Sequence, residues 1–146
     1  MIEDREVYNL LTRPARIKRK IRRIDAEINA LTLSFALPKA ITYDKDSVQT
    51  SPDDVMSGYM ARKDELMRKR EHEVADYEKA VKDIGGWLDL LECEAGALII
   101  GLRFLEGMAF PDISEEIHRS ERQMYRDYNN ALEELSKKIK VGSKCQ

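Results

Sequence analysis

From Pro14 to Leu37 the chain has no glycine and no interior proline, and its apolar residues fall at Ile17, Ile21, Ile24, Ile28, Leu31 and Phe35. The gaps of 4, 3, 4, 3 and 4 are those of a heptad seam, a pattern that a strand cannot hold on one face. The spacing predicts a helix of about 22 residues, roughly 33 Å long at 1.5 Å per residue. Pro14 suits its first turn, where no amide donor is missed. Pro38 ends it, and residues 38–51 (PKAITYDKDSVQTS) read as a loop.

Ser51-Pro52-Asp53-Asp54 then supplies a capping hydroxyl, a proline at the first helical position and carboxylates at the positive end of a helix dipole. The helix that follows meets no proline until Pro111. Met56, Met60, Met67, Val74, Tyr77, Val81, Ile84, Leu88 and Leu91 mark its seam, with Lys63 and Arg70 at two seam positions. Two long helices joined by a loop predict an antiparallel, coiled-coil-like hairpin. The second helix outruns the first, so residues 3–12 or a second copy of the chain must cover the remainder of its seam. Gly85-Gly86 predicts a bend or module boundary before Trp87.

Three shorter elements follow. Glu92–Glu106 is expected to bury Leu98, Ile99, Leu102 and Leu105, with Gly107 as the C-cap. A second helix runs from Pro111 to about Ile117. A third opens on the capping box Ser120-Glu121-Arg122-Gln123 and buries Met124, Tyr128, Ala131, Leu132 and Leu135. Only His118 and Arg119 separate the last two, so the carboxy-terminal part reads as a tri-helical helix-turn-helix. The domain reading is therefore a hairpin over 1–91, a helix-turn-helix over 92–141 and a frayed tail over 142–146, all-α throughout.

The exposed tip of the third helix carries the candidate DNA-binding residues Arg119, Ser120, Glu121, Arg122, Gln123, Tyr125, Arg126 and Asn129. Arginine pairs with guanine in bidentate fashion, Gln and Asn with adenine, and Glu accepts from cytosine. Arg119 and Tyr125 suit phosphates, which set register without reading sequence. The blander account is a solvated face in which Arg122 and Arg126 pair with Asp127 or Glu133.

Residues 97–135 resemble the −35-reading region of bacterial sigma factors. The shared frame comprises Arg103, Phe104, Glu106, Gly107, Ile113, Ser120, Met124, Ala131, Leu132 and Leu135, and it departs at Asp127, where sigma proteins usually carry an apolar residue. The amino-terminal helix, the loop containing Val48-Gln49-Thr50-Ser51-Pro52 and the long helix extend the resemblance to the ArpU/RinA-like phage and prophage regulators. That resemblance implies promoter binding, activation of late or packaging genes and contact with RNA polymerase. With the polar helix tip it leads to a sequence-specific transcriptional regulator acting on double-stranded DNA. The polar positions on the long helix's seam point to a homodimer, and two cysteines with no CxxC pair read as those of a cytoplasmic protein. The alternative is a coiled-coil adaptor that binds a protein such as RNA polymerase without reading DNA.

Composition bounds these readings. The 146 residues carry 25 Lys and Arg against 27 Asp and Glu, a net charge of −2, which excludes a strongly basic nucleic-acid coat protein. Residues 110–140 hold seven acids against six Lys and Arg, so one isolated domain should bind DNA modestly. The segment Arg13–Arg23 holds seven basic residues and no acid, and is either a solvated helix face or an auxiliary phosphate patch. Charges throughout residues 1–20 leave no signal-peptide core, and no apolar run is long enough for a membrane. Cys93 and Cys145 form no metal spacing. Glu115-x-x-His118 has the spacing of half a di-iron site but lacks the second copy and the facing Glu residues such a site requires. No phosphate loop, nucleophile elbow or zinc-protease motif occurs. The expectation is a non-enzyme with no cofactor, no metal and no small-molecule substrate.

Overall fold

A computed structural model describes residues 2–37 and 52–144, with side chains from 5 to 37 and from 53 to 139. The predicted loop over 38–51 lies outside the described residues. Among these the fold is all-α: α1 (Ile2–Leu11), α2 (Arg13–Ala36), α3 (Pro52–Asp89), α4 (Glu94–Ile100), α5 (Phe110–Glu116) and α6 (Glu121–Lys144). A wider π turn, Gly101–Leu105, continues α4. None of the described helices is long and apolar enough to cross a membrane.

The chain divides into two compact units, residues 1–18 with 76–146, and residues 19–75. This places the division inside α2 and α3 rather than at residue 91. The reason lies in what is buried: Val7 and Leu11 of α1 share one core with Ile84, Leu91, Ile100, Phe104, Ala131 and Leu135. The last turns of α3 thus belong with the carboxy-terminal helices, and α1 packs into the same core as Ile84. The helix runs unbroken through Gly85 and Gly86 to Asp89, and α6 continues to Lys144, beyond the start of the expected tail.

Within the first unit, α4 contributes to two cores at once. Ile100 joins the cluster around Ile84 and Leu135, while Ile99 joins Ile113 and Met124. Serving both sides with adjacent residues turns Leu98 outward, so it is 52% exposed, against the sequence expectation. Met124, Ala131 and Leu135 are buried as their helical spacing requires. Cys93 caps α4, its Sγ accepting from the Gly96 amide at 3.4 Å. Gly96 sits where α4 meets α6: a Cβ there would lie 2.6 Å from the Ala131 Cβ. Lys138 donates to the Leu90 carbonyl and to Glu134, which also accepts from the Glu92 amide at 3.0 Å. These bonds hold the Glu134 carboxyl below the usual carboxylate range. Burial pushes the Tyr128 phenol up. At the α1–α2 junction the Thr12 hydroxyl donates to the Tyr8 carbonyl at 2.9 Å, and Arg16 donates to the Asn9 carbonyl at 2.7 Å. The Arg16 contact satisfies the Asn9 carbonyl, one that the end of α1 leaves open, while the Tyr8 carbonyl also accepts from the Thr12 amide.

In the second unit, Asp25 meets Arg70 at 2.7 Å, Glu27 meets Arg62 at 3.8 Å, and Phe35 stacks on Tyr59 with ring centroids 4.2 Å apart. Rising numbers on α2 meet falling numbers on α3, so the two segments run antiparallel. The α2 seam follows the predicted spacing through Ile24. The α3 seam holds from Val74 to the buried Ile84 but fails in its first half: Leu66 is 1% exposed, whereas the heptad residues Met56, Met60 and Met67 are between 41% and 48% exposed. Tyr59 and Arg70, which share a helix face with Leu66, take up α2 through the Phe35 ring and the Asp25 carboxylate. These polar and aromatic contacts set the rotation of α3, and apolar spacing alone gives no weight to them.

Candidate nucleic-acid interface

The turn between α5 and α6 is built by hydrogen bonds rather than by glycine. The Arg119 amide donates to the Ser114 carbonyl and the His118 amide to the Glu115 carbonyl, both at 3.2 Å. This is the bond pattern of a Schellman ending, with His118 at the left-handed position, φ 56°. The nearly buried Ser114 hydroxyl donates to the Arg119 carbonyl at 2.5 Å, which fixes the chain just before α6 begins. Ser120 then caps α6 as its sequence predicts: its hydroxyl accepts from the Gln123 amide at 3.3 Å. The return bond of the capping box, from the Gln123 side chain, is absent among the described residues, and Gln123 is exposed.

Arg119 pairs with Asp127 at 2.5 Å. This links the turn to the second turn of α6 and gives Asp127 a partner at the position where the sigma pattern departs. The solvated-face account paired Asp127 or Glu133 with Arg122 and Arg126. Here Asp127 takes Arg119 and Glu133 takes Lys137 at 3.8 Å. Arg122, Arg126 and Asn129 are exposed and have no ion pair or side-chain hydrogen bond among the described residues. Their i, i+4, i+7 spacing sets them on one stripe spanning about 10.5 Å of helix. Ser120 and Glu121 lie at its exposed amino-terminal tip.

Tyr125 flanks this stripe, its ring centroid 5.1 Å from that of Phe110. Phe110 is itself held by the Arg103 guanidinium, 4.4 Å over its ring, and by Tyr128 at 5.1 Å. Arg103 also donates to the Met108 carbonyl at 3.0 Å, just past Gly107, whose φ of 75° closes the π turn. Arg103 and Phe110 therefore set the position of Tyr125, a role that neither one's place in the sequence indicates. Of the two, only Arg103 belongs to the frame shared with sigma factors.

His118 is exposed in the turn. Among the described residues no group of three or more His, Cys, Asp or Glu side chains is placed to hold a metal. Comparison with protein families, curated proteins and solved structures finds no match to this chain.

Proposed function

We propose that the protein is a sequence-specific DNA-binding transcriptional regulator in which α6 enters the major groove. The observation that carries this reading is the stripe of Arg122, Arg126 and Asn129, exposed and without partners among the described residues, on the first half of a capped helix that follows a tight turn. The major groove is about 12 Å wide and admits a helix. Arg122 and Arg126 are assigned to base edges or adjacent phosphates, Asn129 and Gln123 to adenine, and Glu121 to cytosine. Tyr125 suits a phosphate, and Ser120 holds the helix start. Arg119 spends one guanidinium nitrogen on Asp127 and keeps other donors for a phosphate. The finer reading, a sigma-like activator of phage or prophage late or packaging genes that works as a homodimer with RNA polymerase, rests on the resemblance of residues 97–135 to sigma factors. It rests also on the extension of that resemblance through the amino-terminal helix, the loop with residues 48–52 and the long helix, and on the unpartnered part of that helix's seam.

The test is binding of the full chain to fragments of its own upstream region, followed by fluorescence anisotropy across salt. Replacing Arg122 and Arg126 together with Ala should weaken binding about 100-fold, since each such contact is worth roughly 1–3 kcal/mol, while helicity stays unchanged. Unchanged binding by the double variant refutes the assignment. The adaptor reading has one observation in its favour, the exposed Met56, Met60 and Met67 on α3, since methionine-rich faces suit protein partners. It predicts no saturable duplex binding even at low salt.

A further inference from the structure

The geometry points to a second nucleic-acid contact on the 19–75 unit: a cationic groove between α2 and α3 that holds the phosphate backbone of duplex DNA without reading its sequence. Lys20 and Arg23 of α2, with Arg68, Lys69 and His72 of α3, line a groove of about 520 Å³ over Ile24. The two sets lie 45 or more residues apart in sequence and are brought together by the antiparallel pairing that the Asp25–Arg70 ion pair anchors. Glu27 and Glu73 also line the groove, leaving four fixed cations against two carboxylates. Of these, Glu27 is reached by Arg62 and Lys69 by Glu65 at 3.7 Å. Lys20, Arg23 and Arg68 are exposed and have no ion pair among the described residues.

Three features select a duplex backbone as the occupant. The positive charge is spread rather than focused: Arg19 and Arg22 are exposed on α2 beside Lys20 and Arg23, which suits a ligand carrying charge at regular intervals. No Phe, Tyr or Trp lines the groove, so it offers no platform for stacking unpaired bases. Lysine and arginine together, without convergent amide or hydroxyl groups, recognise charge and position rather than base identity. Arg16, by contrast, is spent on the Asn9 carbonyl, so the basic segment 13–23 separates into a structural part and a part available to ligand. The choice of nucleic acid rests on the function proposed above, and the variants below separate the two.

The experiment measures binding of the full chain to a duplex of arbitrary sequence, about 20 base pairs long, over a range of salt. A fourfold variant, Lys20→Gln, Arg23→Gln, Arg68→Gln and Lys69→Gln, changes only exposed side chains; circular dichroism checks its fold. It should lose at least tenfold in affinity at low salt, and its salt slope should become shallower by about 3.6, at roughly 0.9 for each of the four lost phosphate contacts. Arg23→Lys with Arg68→Lys should retain binding, because a phosphate accepts a point charge. Equal affinity and slope in the fourfold variant overturn the proposal. So does polyglutamate that binds as tightly as duplex through the same four residues, which assigns the groove to acidic protein. If Arg122→Ala with Arg126→Ala weakens duplex binding and the fourfold variant leaves affinity and salt slope unchanged, the groove fails and the α6 reading stands. The opposite pattern removes the α6 reading and leaves the groove.

Discussion

Gly96→Ala places a methyl group where α4 and α6 are closest. The new Cβ lies 2.6 Å from the Ala131 Cβ, 3.2 Å from the Asp127 carbonyl oxygen and 3.8 Å from the Ala131 Cα. Carbon atoms rest about 3.5–4.0 Å apart, so the two helices must part by roughly 1 Å. Backbone and a Cβ cannot rotate away, and Ala131 is 1% exposed, in the core that Ile100 and Leu135 share. Overpacking of this kind costs about 1–3 kcal/mol, offset by up to about 1 kcal/mol from the better helix propensity of Ala. The expected net loss is about 1–2 kcal/mol, or roughly 3–8 °C in melting temperature for a chain of this size. Trp87 is the single tryptophan and packs against this core, so its fluorescence during urea titration reports the unit concerned. Ala131→Gly is also destabilising, through lost burial and helix propensity. Combined with Gly96→Ala it removes the clash, so the double variant should be about 1–2 kcal/mol more stable than the sum of the single effects predicts. Additivity within about 0.5 kcal/mol would show that the two positions do not meet, as would a stabilised Gly96→Ala.

Three further outcomes follow from local geometry. His118→Gly relieves a left-handed residue that makes no buried contact, and should raise stability by about 0.5–1 kcal/mol in a thermal melt; a loss would show that the imidazole contributes to the turn. Leu66→Ala should destabilise the chain by about 2–5 kcal/mol and Met67→Ala by less than about 0.5 kcal/mol in circular-dichroism melts, since only the former is buried; the reverse order would restore the heptad placement of α3. The bonds from Lys138 and the Glu92 amide favour ionised Glu134 in the folded state, so their stabilisation is full above the ordinary carboxylate range. It is lost as pH falls through that range and below, where the unfolded chain takes up its proton first. Glu134→Gln should be less stable at neutral pH and show a shallower acid limb in pH-dependent urea titration, whereas an unchanged limb would show that the carboxylate is not held.

The carboxy-terminal helices were largely legible because their signals are local. Ser120 caps α6, Gly107 takes the positive φ of a C-cap, and the i, i+3, i+4 spacing picks out Met124, Ala131 and Leu135 for burial, each dictated by a few neighbouring residues. The same locality identifies Arg122, Arg126 and Asn129 as one exposed stripe. It says nothing of which acid stays near them. That Asp127 goes to Arg119 depends on the turn, and the turn depends on the Ser114 hydroxyl reaching the Arg119 carbonyl.

Helix periodicity by itself determined that this chain is all-α, because a 3–4 apolar repeat can be buried only by a helix. Tertiary structure decided which face of each helix is covered. On α3 the heptad marks Met56, Met60 and Met67, yet pairing through Arg70 and Tyr59 buries Leu66 instead. On α4 two cores on different sides leave Leu98 exposed. Val7 and Leu11 of the amino-terminal segment joined the core that holds Ile84 only through folding that brings together residues more than seventy positions apart. Lys20 and Arg23 likewise meet Arg68 and Lys69 only once α2 and α3 lie side by side. Spacing along a helix fixes the angle between side chains. The angle at which the helix itself is presented is set by what packs against it, and that partner lies elsewhere in the chain.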